Sequence, residues 1–230
     1  MNSKVTTIFF DVGNTLLFPN RERIHAPVEE AGVTFDPAHL RDLERRIKNE
    51  FDSRMTKDGS PDHGFWWMYY TQLFMEVGLT NDRLRDHLVT NIRDSANWDQ
   101  IRPGTRDELQ QIASRYRIGV ISNADGRIED VLRRCEIADC FLSITDSGLV
   151  GYEKPHPEIF RHALETLKAR PEESLYVGDV YSVDYVGATQ AGMQAVLMDV
   201  PGAYTAKGVA RVESLAELRA MLADAKGGEP

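Results

Sequence analysis

The sequence predicts an α/β fold: a doubly wound parallel sheet with a four-helix, bundle-like unit inserted after the first strand. Three observations carry this. A nearly continuous apolar run, Val5 to Phe10, opens the chain and reads as a strand buried on both faces. Residues 18–98 show only helical spacing. After them, short apolar strands alternate with amphipathic helices, which is the pattern of βαβ units.

The elements follow in order. Asp11-Val12-Gly13-Asn14-Thr15 breaks the first strand. A short piece before Gly32 is the first predicted helix. Asp36-Pro37 starts the second, with a capping side chain ahead of a proline at the first helical position. Leu40, Leu43, Ile47 and Phe51 form its stripe, and the polar stretch from Thr56 to Asp62 is expected to be a loop. Trp66, Tyr70, Leu73, Phe74 and Val77 define the third helix, with Gly78 at its C-terminal cap. Leu84, Leu88 and Ile92 define the fourth. Thr105 and Glu108 then read as a capping box before Leu109 and Ile112. Ile118 to Ile121 is a strand, and Asp125 is the expected cap of a helix carrying Ile128, Val131 and Leu132. Phe141 to Ile144, Ser174 to Val177 and Ala195 to Met198 are further strands, and Pro157 opens a helix. Ser214 and Glu217 repeat the capping box for a last helix, and the polar tail from Lys226 to Pro230 is expected to fray. The chain thus divides into a core of residues 1–17 and 99–230 and a helical unit of residues 18–98.

Composition excludes several classes. Of the 230 residues, 27% are charged and 42% apolar, which rules out a disordered or fibrous chain. A net charge of −9 argues against nucleic acid and anionic membranes as general partners. No apolar run approaches the ~20 residues of a membrane span, and the first residues lack a signal-peptide pattern. Two cysteines, Cys135 and Cys140, are too few for a disulfide framework, so a reducing cytoplasm is the expected setting.

Ligands of open parallel sheets bind beyond the carboxyl ends of the strands. Asp11 to Thr15 follow the first strand, and Ser122-Asn123 the second. Gly178-Asp179 follows the fourth, with Asp184 five residues on. Lys154 lies in the loop before the helix at Pro157. Singly, these are turn formers, helix caps and a surface lysine. Together, at successive strand ends, they form a candidate site.

In that order the residues resemble the haloacid dehalogenase superfamily, most of whose members are phosphatases. Asp11 to Thr15 resemble its first motif, Ser122 its second, Lys154 its third, and Gly178-Asp179 with Asp184 its fourth. The segments GYEKPHPEIF and YVGDVYSVDYVGATQAGM are similar to typical third and fourth motifs. The resemblance covers the whole core and implies a Rossmann-like fold. It also makes residues 18–98 a cap between the first and second motifs.

The resemblance implies Asp11 as a nucleophile that forms an aspartyl-phosphate, splitting one hard hydrolysis into two steps. Asp11, Asp179 and Asp184 against Lys154 leave a site of net charge −2, which an incoming phosphate dianion must meet. A like-charge pair at 4 Å costs about 4 kcal/mol at an effective dielectric of 20, so a divalent cation is expected, and magnesium suits carboxylates, water and phosphate. By resemblance its ligands are the Asp11 carboxylate, the Gly13 carbonyl and Asp179. Ser122 and the amide of Asn123 hold phosphate oxygens, and Lys154 pairs with nucleophile and phosphate. Asp184 orients Lys154 or a metal-bound water, and Thr15 supports the first motif. The expected partner is a small anionic molecule.

One position departs from the family. Its phosphatases carry a second aspartate two residues after the nucleophile, as general acid and base. Gly13 stands there. General acid–base help is worth about 10²–10⁴-fold, so three alternatives stay open. The first is a phosphatase whose acid is replaced by a cap residue or water, or whose leaving group is good. The second is a dehalogenase, or a phosphonatase forming a Schiff base on a cap lysine, Lys48 or Lys57. The third is a protein that binds metal and phosphate without turnover. Within the cap, Trp66 and Tyr70 are expected in the bundle core, Trp67 or His63 toward the substrate, and His25, His39 or His63 as substitute proton carriers.

Overall fold

The computed structural model describes residues 5–30, 32–58 and 64–227, with the side chains of 56–58 and 225–227 excepted. The order of elements is β1 (Thr7–Phe10), β2 (Leu17–Phe18), α1 (Arg21–Glu30), α2 (Pro37–Asp58), α3 (Phe65–Glu76), α4 (Asp82–Arg93), β3 (Gln100–Ile101), α5 (Thr105–Ala113) and β4 (Arg117–Ser122). There follow α6 (Ile128–Arg134), β5 (Ser143–Asp146), α7 (Ser147–Val150), α8 (Pro157–Thr166), β6 (Ser174–Gly178), α9 (Val186–Gln190), β7 (Gln194–Met198), β8 (Arg211–Val212) and α10 (Leu215–Gly227).

Six strands form a parallel sheet in the order β5-β4-β1-β6-β7-β8. β1 lies at its centre, with Phe10 level with Val120 on one side and Val177 on the other. All four β1 residues and all five of β6 are buried, as a sheet covered on both faces requires. Side-chain alternation divides the core. Ile8 and Phe10 pack with Leu109, Leu132 and Leu218 from α5, α6 and α10. Phe9 packs on the other face with Ile159, Phe160 and Ala188 from α8 and α9. The chain order reverses direction around β1, so the crevice beyond β1, β4 and β6 is the topological switch point where ligands bind.

Helices α1–α4 bury their own core, in which Leu43, Tyr69, Tyr70, Leu73 and Leu88 are fully enclosed. The chain enters and leaves them through a short antiparallel ribbon, with Leu17 opposite Ile101 and Phe18 opposite Gln100. Side chains then tie the helical unit to the sheet on both flanks. On α2, Asn49 Nδ2 donates to the Ala203 carbonyl (3.1 Å), and Asp52 Oδ1 accepts from the Ser182 N–H (3.0 Å). Behind α4, Ser95 Oγ donates to Asp125 Oδ1 (2.6 Å), and Arg127 pairs with Asp94 (2.9 Å).

Several local expectations change. The loop expected from Thr56 begins later, because α2 runs on to Asp58; Gly59 to Asp62 lie outside the described residues, as do Gly228 to Pro230 of the tail. Thr105 is inside α5, and its cap is Gly104, at φ +81°, with no side-chain bond; Glu108 instead pairs with Arg219 (2.6 Å). The strand expected at Phe141 starts at Ser143, since Phe141 turns inward against Phe10 with ring centroids 6.3 Å apart. Two-residue strands such as β2, β3 and β8 carry no periodic signal. Both cysteines are free thiols. No described helix is long and apolar enough to cross a membrane.

Asp125, drawn to Ser95, reaches only the Arg127 N–H just ahead of α6 (3.3 Å). Asp146 caps that helix from β5: its Oδ2 accepts from the Ile128 N–H (3.1 Å), and its Oδ1 from the Gly126 and Gly148 N–H groups (3.0 and 2.9 Å). Asp146 is 2% exposed, so Asp146→Ala takes the acceptor from three N–H groups, of which that of Ile128 is buried. It is expected to cost roughly 2–4 kcal/mol in urea unfolding, and an unchanged midpoint would disprove this role.

Candidate functional site

Asp11 is the first residue beyond β1, and its N–H continues the ladder to the Val177 carbonyl (2.8 Å). The chain then turns tightly, as the Val12 carbonyl accepts from the Leu16 and Leu17 N–H groups (2.9 Å each) and Asn14 takes φ +52°. Thr15 is buried in that turn, and its hydroxyl finds no partner among the described residues.

Lys154, a surface lysine by sequence alone, is 2% exposed. Its Nζ donates to Asp11 Oδ1 (2.6 Å), Asp184 Oδ1 (2.8 Å) and the Tyr176 hydroxyl (2.8 Å). Asn123 places that loop: its Oδ1 accepts from the Lys154 N–H (2.7 Å) and its Nδ2 donates to the Lys154 carbonyl (3.0 Å). The Asn123 side chain is therefore committed, which leaves its backbone N–H for a ligand. Ser122 is buried and lines the same cavity.

Asp184 Oδ2 accepts from the N–H groups of Asp179 (2.9 Å) and Val180 (2.8 Å). Gly178 makes this possible, since a Cβ there would stand 2.6 Å from that oxygen. Oxygens of Asp11, Asp179 and Asp184 all lie within 4.8 Å of one another. Lys48, from α2, closes the far side. Fully buried, its Nζ donates to Asp179 Oδ2 (2.7 Å) and the Asp179 carbonyl (3.1 Å), with Glu44 Oε1 at 3.5 Å.

Residues 5–192 match the haloacid dehalogenase-like hydrolase family. The chain belongs to that family. This hydrolase is 30% identical over 203 residues to haloacid dehalogenase-like hydrolase domain-containing protein 3 of Xenopus laevis, covering 83% of each chain. It is 39% identical over 99 residues to a glyceraldehyde 3-phosphate phosphatase of Methanothermobacter thermautotrophicus, covering 42% of this chain and 44% of that one. Its fold is similar to that of the HAD-hydrolase YfnB from Bacillus subtilis, solved with magnesium, at a TM-score of 0.68 and 18% identity. That match covers 96% of this chain and 99% of the other.

Electrostatics of the hydrolase follow from burial. Enclosure pushes the Asp11 carboxyl up to about 7; Lys154 opposes the shift, and Asp184 and Asp179 add to it. Burial likewise raises Asp179, with Lys48 opposing. Burial alone would lower both lysines, but Asp11 and Asp184 at Lys154, and Asp179 and Glu44 at Lys48, outweigh it and hold both charged. The count read from the sequence omitted Lys48 and Glu44, whose ion pair adds one charge of each sign and leaves the formal charge at −2.

Sequence reasoning missed two residues here. Tyr176 looked like one more strand residue, and Lys48 was weighed only as a Schiff-base lysine. The Lys48 ammonium is bonded to carboxylates and does not line the cavity; the Lys57 side chain lies outside the described residues. A lysine amid the apolar stripe of α2, beside Ile47 and Phe51, was the available signal.

The cavity in front of Asp11 holds about 370 Å³. Two cap expectations are corrected there. Trp66 packs against the bundle core as expected and also lines the cavity, whereas Trp67 does not line it and is 47% exposed under the Arg85 guanidinium (5.5 Å). No described histidine lines it. His25 bonds the Tyr70 hydroxyl (3.2 Å) inside the bundle, where burial pushes it down to about 4. His39 pairs with Glu76 at the surface (2.6 Å), and His63 lies outside the described residues. At Gly13, a Cβ would meet Trp98 Cζ3 at 3.2 Å, and Trp98 is itself fixed by its Nε1 bond to the Ile92 carbonyl (2.7 Å).

Proposed function

We propose that this hydrolase is a magnesium-dependent phosphatase of a small phosphorylated molecule, with Asp11 as nucleophile and residues 18–98 as a cap over the core of residues 1–17 and 99–230. One observation carries the reading. Asp11 Oδ2 and Asp179 Oδ1 accept no hydrogen bond from the described residues, although both carboxylates are buried. Both oxygens of the third carboxylate, Asp184, are taken by protein donors.

Two carboxylate oxygens left open on buried residues that line one cavity suit a hard cation. Asp11, the Gly13 carbonyl and Asp179 would hold magnesium, with Asp184 supporting. Bound there, it supplies the positive charge that lets a phosphate dianion approach carboxylates. The chain's own groups do the rest. Lys154 aligns the Asp11 carboxylate and stabilises charge on the transferring phosphoryl group. Ser122 and the Asn123 N–H hold its oxygens. Asp11 takes up the phosphoryl group, and water then releases it as phosphate. Similarity to a phosphatase named for a phosphate monoester supports that substrate class. The charged, carboxylate-bound state of Lys48 favours this reading over a Schiff-base mechanism, which needs a free amine at the substrate.

The test is a parallel assay of phosphate esters, a phosphonate and a 2-haloacid, with magnesium and with EDTA. Phosphate release from the esters, lost in EDTA, is expected. Halide release indifferent to EDTA would select a dehalogenase instead. Absence of turnover with measurable metal and phosphate binding would select a binding protein.

A further inference from the structure

We propose that the site is built for aryl phosphate monoesters, which depart as a phenoxide needing no proton from the protein. The inference rests on the phosphatase reading and names its substrate class. Two independent features support it: what forms the cavity wall, and what that wall lacks.

The wall facing the acidic cluster is aromatic. Trp66 and Trp98 meet edge to face, with centroids 5.7 Å apart, and Phe65 meets Trp66 edge to face at 4.9 Å. Ile92 and Val183 extend this surface. A flat apolar ring matches it, because aromatic groups pack at centroid separations of about 4.5–7 Å. A sugar would face these surfaces with hydroxyls the wall does not bond.

The titratable groups of the described lining are engaged elsewhere: Glu153 and Arg93 each have a partner of their own. Lys154 is committed to Asp11 and Asp184, and Asp179 to Lys48. Burial raises Asp125, but its bonds to Arg127 and Ser95 outweigh that and hold it below the usual carboxylate range, so it is ionised. Gly13 has no side chain, and Trp98 fills the space one would take. A leaving group must then be stable as an anion. A phenoxide, with a conjugate acid near pKa 10 as in tyrosine, meets this far better than an alkoxide near about 16.

The steps balance. An Asp11 carboxylate oxygen bonds to phosphorus as the bond from phosphorus to the phenolic oxygen breaks. The electron pair leaves on that oxygen, and the phenoxide takes a proton from solvent. Water then attacks phosphorus and expels the Asp11 carboxylate, which needs no proton. The water's proton passes to solvent and inorganic phosphate departs.

Phenyl, benzyl, acetyl and ethyl phosphate separate the two features, since benzyl carries a ring on an alkoxide and acetyl a good leaving group without a ring. Phenyl phosphate is expected to exceed benzyl phosphate in kcat/KM by about 10²-fold or more. Acetyl phosphate is expected to turn over with a KM raised about tenfold relative to phenyl phosphate. Phenylphosphonate, which is not hydrolysed, is expected to quench tryptophan emission with a Kd about tenfold below that of methylphosphonate. In the double variant Gly13→Asp, Trp98→Ala, benzyl phosphate turnover is expected to rise. Equal rates on phenyl and benzyl phosphate would overturn the proposal by exposing a proton donor, which Glu153→Gln would identify. Equal affinity for the two phosphonates would overturn the aryl pocket. Either result leaves the phosphatase reading standing, whereas failure on all four esters with halide release from a 2-haloacid removes both.

Discussion

Asp11→Asn is expected to lower kcat by about 10⁴-fold or more, because the amide oxygen cannot replace a carboxylate as the attacking group. The same variant is expected to change stability in a direction set by burial. Folding raises the Asp11 carboxyl from 3.8 to about 7, so between those values the folded protein binds a proton that the unfolded chain has lost. The contribution to stability is full below about pH 4 and is lost as pH rises through about 7. In EDTA, Asp11→Asn is therefore expected to flatten the fall in Tm across that window. A parallel fall in both proteins would refute the assignment, as would residual turnover above one-hundredth of the parent rate.

Lys48→Met carries the second large effect. Lys48 is wholly buried, and Asp179 has no other side-chain donor among the described residues. Removing one partner of a buried pair strands the other, at a cost of roughly 3–5 kcal/mol. For a chain of this size that is a Tm lowered by about 6–20 °C. Saturating magnesium is expected to restore part of it. Calorimetry is expected to give a lower magnesium Kd than in the parent, since a competing cation is gone. A lower Tm with unchanged magnesium affinity would reduce Lys48 to a packing residue. Lys48 sits on α2 of the helical unit, so its bond to Asp179 joins that unit to the acidic cluster at the strand ends.

The site was legible in the sequence where chemistry follows chain position. Asp11, Ser122 and Asp179 each stand at the carboxyl end of a strand that its apolar run had already marked. Less legible was everything that depends on a partner far away in the chain. Asp146 caps α6 in place of Asp125 because β5 ends beside that helix, and no local pattern states this. Trp66 and Trp67 are neighbours with the same helical propensity, and only the seating of α3 decides which one lines the cavity. The same holds for the histidines: His25 is seated in the bundle and His39 pairs with Glu76, and neither lines the cavity.

By itself, the sequence determined the alternation that builds a parallel sheet, the helical unit after its first strand, and the acidic residues at the strand ends. Those depend on periodicity and on residue type, which a chain carries locally. Only the tertiary structure decided which charges meet. It brought Lys48 across from α2 to Asp179, buried Lys154 between two carboxylates, and set Trp98 against Gly13. Burial and distance fix the energy of a charge, and both are properties of the assembled fold rather than of the neighbouring residues in the chain.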